Sequence, residues 1–106
     1  MPKIMGHRGA KAYEPENTLR SIRRALDLGV QAVEIDIHRS RDGRLIVIHD
    51  PTVDRTTNGT GAVAELDWAE LRQLDAGLGE HLPCLEEVVA LVRGRAHLFV
   101  ELKDPG

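Results

Sequence analysis

Short apolar runs alternate with amphipathic stretches along the chain, and each apolar run ends in polar residues able to do chemistry. Residues 3–7 read as a brief strand closing on Gly6-His7-Arg8-Gly9. Asn17 is a good N-cap for a helix over residues 18–28, along which Leu19, Ile22 and Leu26 recur at helical spacing while arginines face outward. Gly29 follows where glycine commonly closes a helix. Residues 30–38 are strand-like, and a period of two turns Val33, Ile35 and Ile37 to one side and Glu34, Asp36 and His38 to the other.

The next connection, residues 39–44, is too short for a parallel crossover and centres on Asp42-Gly43, a hairpin signal. Residues 45–49 therefore fold back antiparallel. With Asp42 and Gly43 as the central turn residues, position 49 falls opposite position 36, and a slip of one or two places still leaves His49 beside the carboxylate pair. After Pro51 a polar, turn-rich loop runs through Asp54-Arg55-Thr56-Thr57-Asn58-Gly59. Asp67 with Glu70 forms a capping-box pattern for a short helix carrying Leu71 and Leu74. A helix over 85–92, ended by Gly94, leads to a last strand over 97–103, with Leu98, Val100 and Leu102 opposite Phe99, Glu101 and Lys103. Strand, helix, strand, helix, strand is the order of an α/β protein with a parallel sheet.

Composition narrows the class. A chain of 106 residues with 42% hydrophobic and 29% charged residues reads as at most one soluble globular domain. A net charge of -3 offers no basic surface for nucleic acid or anionic lipid. No signal peptide is expected, because the N-terminal apolar run breaks at Gly6-His7-Arg8, and no run nears the ~20 residues that span a bilayer. A single cysteine, Cys84, rules out an internal disulfide and fits a reducing, cytoplasmic setting.

Carboxylates on one face of a buried strand are costly unless paired or bound to a cation, so Glu34 and Asp36 call for a partner. Oxygen ligands suit Mg²⁺ or Ca²⁺ better than zinc; the bland alternative is a solvated sheet face. His7 and His49 each end an apolar strand, where an α/β fold presents its functional loops, and two imidazoles near a carboxylate pair suit acid and base work. Arg8 and Lys103, ordinary surface charges singly, become phosphate ligands beside a metal. His38, His81 and His97 read as structural or solvent-exposed, and Asp50 either orients His49 or shapes the following turn.

His7-Arg8-Gly9, Pro15-Glu16-Asn17-Thr18, Glu34-Ile35-Asp36, His49-Asp50-Pro51-Thr52, Asp54-Arg55-Thr56-Thr57, Leu74-Asp75-Ala76-Gly77, Leu82-Pro83-Cys84-Leu85-Glu86-Glu87-Val88 and Glu101-Leu102-Lys103 stand in one order. That ordered set resembles the glycerophosphodiester phosphodiesterase family over essentially the whole chain. The resemblance implies the N-terminal portion of a (β/α)₈ TIM-type barrel, with a small insertion over residues 51–82 within a partial domain of residues 1–106. It also implies metal ligation of Mg²⁺ or Ca²⁺ by Glu34, Asp36 and Glu101, His7 and His49 as general acid and base, and Arg8 and Lys103 as phosphate contacts. The implied reaction belongs to lipid metabolism: cleavage of a glycerophosphodiester to an alcohol and glycerol 3-phosphate, the nucleophile being water or the substrate's own glycerol hydroxyl. A phospholipase C-like enzyme acting on a lipid phosphodiester, or a non-catalytic metal- or phosphate-binding fragment, would share these residues. A whole barrel needs about 250 residues, so a chain of this length is expected to lack its later strands and to self-associate or be poorly stable alone.

Overall fold

The computed structural model describes residues 5–7 and 14–102. Among these residues, four strands and three helices follow one another: β1 (Met5–His7), α1 (Leu19–Asp27), β2 (Ala32–Arg39), β3 (Leu45–Val47), α2 (Trp68–Leu71), α3 (Leu85–Val92) and β4 (His97–Leu102), with a 3₁₀ turn at Val63–Glu65 before α2. The 3₁₀ turn was not anticipated from the pattern.

Strand β2 is the spine. β1 runs parallel to it with Gly6 beside Val33 and His7 beside Glu34. β4 runs parallel to it in a register that pairs Glu34 with Phe99 and Asp36 with Glu101. β3 is antiparallel, with Ile37 beside Val47. A residue has one neighbour on each edge, so β1 and β3 share one edge of β2 and β4 takes the other.

The alternation along β2 settles the layers. Val33, Ile35 and Ile37 are buried with Ile22, Ala25 and Leu26 of α1 and Val88 and Val92 of α3. Both crossover helices thus lie on the same face of the sheet. A doubly wound fold puts helices on both faces; one helical layer outside successive parallel neighbours is the barrel arrangement. The opposite face of β2, with Glu34, Asp36 and His38, is the inward one.

A second apolar cluster, Ile46, Ile48, Val53, Val63, Leu71, Ala76 and Leu82, gathers the residues between β3 and α3. β3 is the wall between the two clusters: Val47 belongs to the first, its neighbours Ile46 and Ile48 to the second. The far end of this segment is tied back to β3, since the Val47 N–H donates to the Pro83 carbonyl at 2.9 Å.

Three expectations from the sequence change. The N-cap of α1 is Thr18, whose side chain accepts from the Ser21 N–H, while Asn17 takes a positive φ of 57° before the helix begins. Two cap-competent residues stand side by side, and the one nearer the helix caps it. The hairpin turn holds three residues, not two: Gly43 N–H donates to Ser40 O at 3.0 Å, Ser40 N–H to Arg44 O at 2.8 Å, and Gly43 sits at φ 86°. That is a tight turn followed by a left-handed residue, a standard three-residue loop. The register shifts by one place, so Ile48, not His49, faces Asp36. β3 also ends at Val47, leaving His49 just beyond the strand. Elsewhere α3 occupies the expected residues, and Glu70 accepts from the Asp67 N–H at 3.4 Å as a capping box requires.

Beyond Leu98, the β4 side chains Phe99, Val100 and Leu102 are exposed at 52%, 43% and 52%. Val100 and Leu102 stand on the side of β4 that continues the helix-facing side of β2, which has no helix over its C-terminal half among the described residues, while Phe99 is on the opposite face.

Ile35 is fully buried where both helices meet β2. Replacing it with alanine is expected to cost about 2–5 kcal/mol of unfolding free energy, read from urea denaturation followed by circular dichroism.

Candidate active site

Pairing across the parallel strands brings separated sequence signatures to one end of the sheet. Residue 7 closes β1 beside Glu34, and Asp36 pairs with Glu101 on β4. Adjacent strands lie about 4.8 Å apart, so side chains on one face at paired positions are neighbours. Asp36 is buried, Glu34 half-buried and Glu101 exposed, and each makes a polar interaction. Arg8 and Lys103 lie outside the described residues, as does everything about the His7 side chain.

His49 reaches the same end from the other hairpin strand. The Ile48 N–H donates to the Asp36 carbonyl at 3.0 Å, which puts His49 one residue beyond the carboxylate strand's own ladder. Two further contacts hold it. His38 Nε2 lies 2.8 Å from the His49 carbonyl oxygen, which can only accept, so His38 carries its proton on Nε2 and donates. His49 Nδ1 lies 2.8 Å from Asp50 Oδ1. Hydrogen bonds from Arg55, and then from His49, hold the Asp50 carboxyl well below the usual carboxylate range. An ionised Asp50 only accepts, so Nδ1 of His49 bears the hydrogen. A neutral His49 then keeps its Nε2 lone pair for taking a proton, and a protonated one has an Nε2 proton to give. Of the two roles open to Asp50, orienting His49 is the one its contacts show.

His38 is buried and braces His49 through the backbone, in keeping with a structural role, while His81 and His97 are exposed.

Sequence reasoning assigned no chemistry to Asn17, Glu16 or Arg55. Asn17 is only 2% exposed, and its Nδ2 donates to Asp36 Oδ2 at 3.3 Å. Its Oδ1 is buried with no hydrogen-bond partner among the described residues. Leaving such an oxygen unsatisfied costs about 1–3 kcal/mol. The pairing of Asn with Thr in sequence was the available signal: only one could cap α1, which freed the other. Arg55 forks onto Glu16 and Asp50, and it comes from the loop that reads as turn formers.

The donor chemistry fits a hard cation, all carboxylate and amide oxygen, with the buried Asn17 Oδ1, unpartnered among the described residues, on the side chain that binds Asp36. As the side chains stand, no three His, Cys, Asp or Glu groups among the described residues are gathered closely enough to hold an ion. A concavity of about 660 Å³ lies at the other end of the sheet, between Gly29-Val30-Gln31 and Gly94 to His97. That end carries the helix-to-strand turns, where a parallel α/β fold keeps stability rather than chemistry.

The fold and this residue set define a class: part of an α/β barrel with an imidazole and carboxylates at the C-terminal mouth of its strands. The profile of the Glycerophosphoryl diester phosphodiesterase family matches residues 7–105, and the chain belongs to that family. It is 42% identical to a glycerophosphodiester phosphodiesterase of Caldanaerobacter subterraneus subsp. tengcongensis, over 95% of this chain and 45% of the relative. It is 40% identical to human glycerophosphodiester phosphodiesterase 1, over 92% of this chain and 35% of the relative. Among solved structures, the glycerophosphodiester phosphodiesterase of Agrobacterium tumefaciens str. C58 superposes with a TM-score of 0.92 at 45% identity, covering 96% of this chain and 47% of that one. A phosphodiesterase of Oleispira antarctica, solved in complex with the product sn-glycerol-3-phosphate, superposes at 0.93 with 38% identity, over 98% of this chain and 45% of that one. The chain thus spans under half the length of these relatives. Among its described residues no helix is long and apolar enough to cross a membrane.

Because the native pKa of Asp50 is depressed, its contribution to stability is complete above the unfolded value of about 3.9 and is lost as pH falls towards the native one. Between neutral pH and about pH 3, the stability of the wild-type chain is expected to fall more steeply than that of Asp50→Asn. Thermal unfolding across that range reads the difference.

Proposed function

We propose that this chain carries the motif-bearing part of a glycerophosphodiester phosphodiesterase, cleaving glycerophosphodiesters to an alcohol and glycerol 3-phosphate. Family membership supports the reaction class. The observation that carries the reading on this chain is the Asp50-oriented His49, fixed one residue beyond Ile48, whose N–H donates to the Asp36 carbonyl.

In this reading His49 moves a proton at Nε2. His7, at the end of β1, is the second acid–base group, one histidine taking the nucleophile's proton and the other protonating the departing alcohol. Glu34, Asp36 and Glu101 would hold Mg²⁺ or Ca²⁺, which supplies positive charge to polarise the phosphoryl oxygens. Arg8 and Lys103 would offset the negative charge that grows on those oxygens. Asn17 would keep the Asp36 carboxylate in one orientation and offer its Oδ1 to a ligand-borne hydroxyl or water.

Residues 51–82, with their separate apolar cluster beside His49, are read as the family's small insertion. The buried, unpaired Cys84 suits a reducing, cytoplasmic setting. A second reading, a fragment that binds metal or phosphate without turnover, draws on the span of under half a relative.

The test is glycerol 3-phosphate release from glycerophosphocholine with Mg²⁺ or Ca²⁺, then with chelator. Turnover is expected to need the cation and to fall by roughly 10²–10⁴-fold in His49→Ala. A folded chain that binds the cation without turnover would support the second reading.

A further inference from the structure

Arg55 stands between two carboxylates from different parts of the chain. Its Nη1 and Nη2 donate to Glu16 Oε1 and Oε2, both at 3.0 Å. Its Nε and Nη2 donate to Asp50 Oδ2 and Oδ1 at 2.8 and 3.1 Å. Only a planar fork can serve two carboxylates in this way; an ammonium group is a single point of charge. Asp50 Oδ1 also accepts from His49 Nδ1 at 2.8 Å. A continuous line of charge-assisted hydrogen bonds therefore runs from the segment before α1 to the imidazole.

We propose that Arg55 is a positioning residue for His49: anchored by Glu16, it locks the Asp50 carboxylate in the one orientation that fixes the imidazole's tautomer and ring plane. The inference rests on the proton-transfer role of His49 proposed above. The geometry carries it in two ways. Both oxygens of Asp50 are occupied by Arg55, so the carboxylate cannot swing away from His49 without breaking a forked pair. The fork's other branch ends on Glu16, one residue before Asn17, so the supports of His49 and of the Asp36 carboxylate meet in one short segment. An isolated surface pair does little; a guanidinium bound through two bonds to each of two carboxylates is a network.

The measurement is ¹⁵N NMR of the histidine rings of this chain, above the pH at which they titrate. In the wild type His49 is expected as the Nδ1–H tautomer. His38, as an Nε2–H donor to the His49 carbonyl, serves as the internal control for an intact site. In Arg55→Ala the His38 signature is expected to stay, while the Nε2–H form of His49 rises about tenfold, the ratio carried by one net hydrogen bond. Arg55→Lys restores charge without the fork and should recover only part of the shift. Glu16→Gln keeps Arg55 on Asp50 and should shift the tautomer in the same direction by less. An unchanged His49 tautomer in folded Arg55→Ala overturns the proposal. Should that variant fail to fold, an unchanged tautomer in both Arg55→Lys and Glu16→Gln does so instead. Activity of His49→Ala tests the parent reading separately, because the tautomer measurement needs no turnover.

Discussion

Pairing along both edges of β2 is the constraint from which the rest follows. A strand held on both sides cannot rotate, so its side chains must alternate strictly between two faces. Val33, Ile35 and Ile37 are committed to the layer beneath α1 and α3, where each fully buried branched side chain contributes roughly 1.5–3 kcal/mol. Glu34 and Asp36 are thereby committed to the other face, whatever that costs in desolvation. The apolar half of the strand stabilises the fold, and the acidic half is carried with it into the site. Neither half can be moved without the other.

The hairpin that follows shows how much depends on a single residue of turn. A two-residue turn would have set His49 against Asp36; the three-residue turn closed by Gly43 sets Ile48 there instead. In a strand pair a one-place slip exchanges the faces. Here it sends Val47 into the first core and Ile46 and Ile48 into the second, and it releases His49 past the strand end. Freed from the ladder, the imidazole can be aimed by side chains, and Asp50 and His38 do the aiming.

Where periodicity and burial coincide, the sequence was a good guide. The alternating faces of β2 are as expected, α3 occupies the expected residues, and Gly29 follows α1 with a positive φ. Local competition was harder to read. Asn17 and Thr18 are both able caps, and their order relative to the helix axis, not their chemistry, decides which one serves. The roles of Glu16 and Arg55 were illegible for a different reason. Their partners lie 39 residues apart in the chain, and an arginine in a turn-rich loop looks like any solvated charge until the loop is folded. The ordered motifs identified the family because they record such distant contacts without explaining them.

The partition made by β3 has a consequence for how a molecule of this kind can diversify. The cluster of Ile46, Ile48, Val53, Val63, Leu71, Ala76 and Leu82 shares a wall with the main core but none of its residues. Substitutions there can reshape the rim around His49 while the helices beneath β2 keep their packing. The two clusters are in effect separately variable: one packs the scaffold, and the other packs the segment that follows His49.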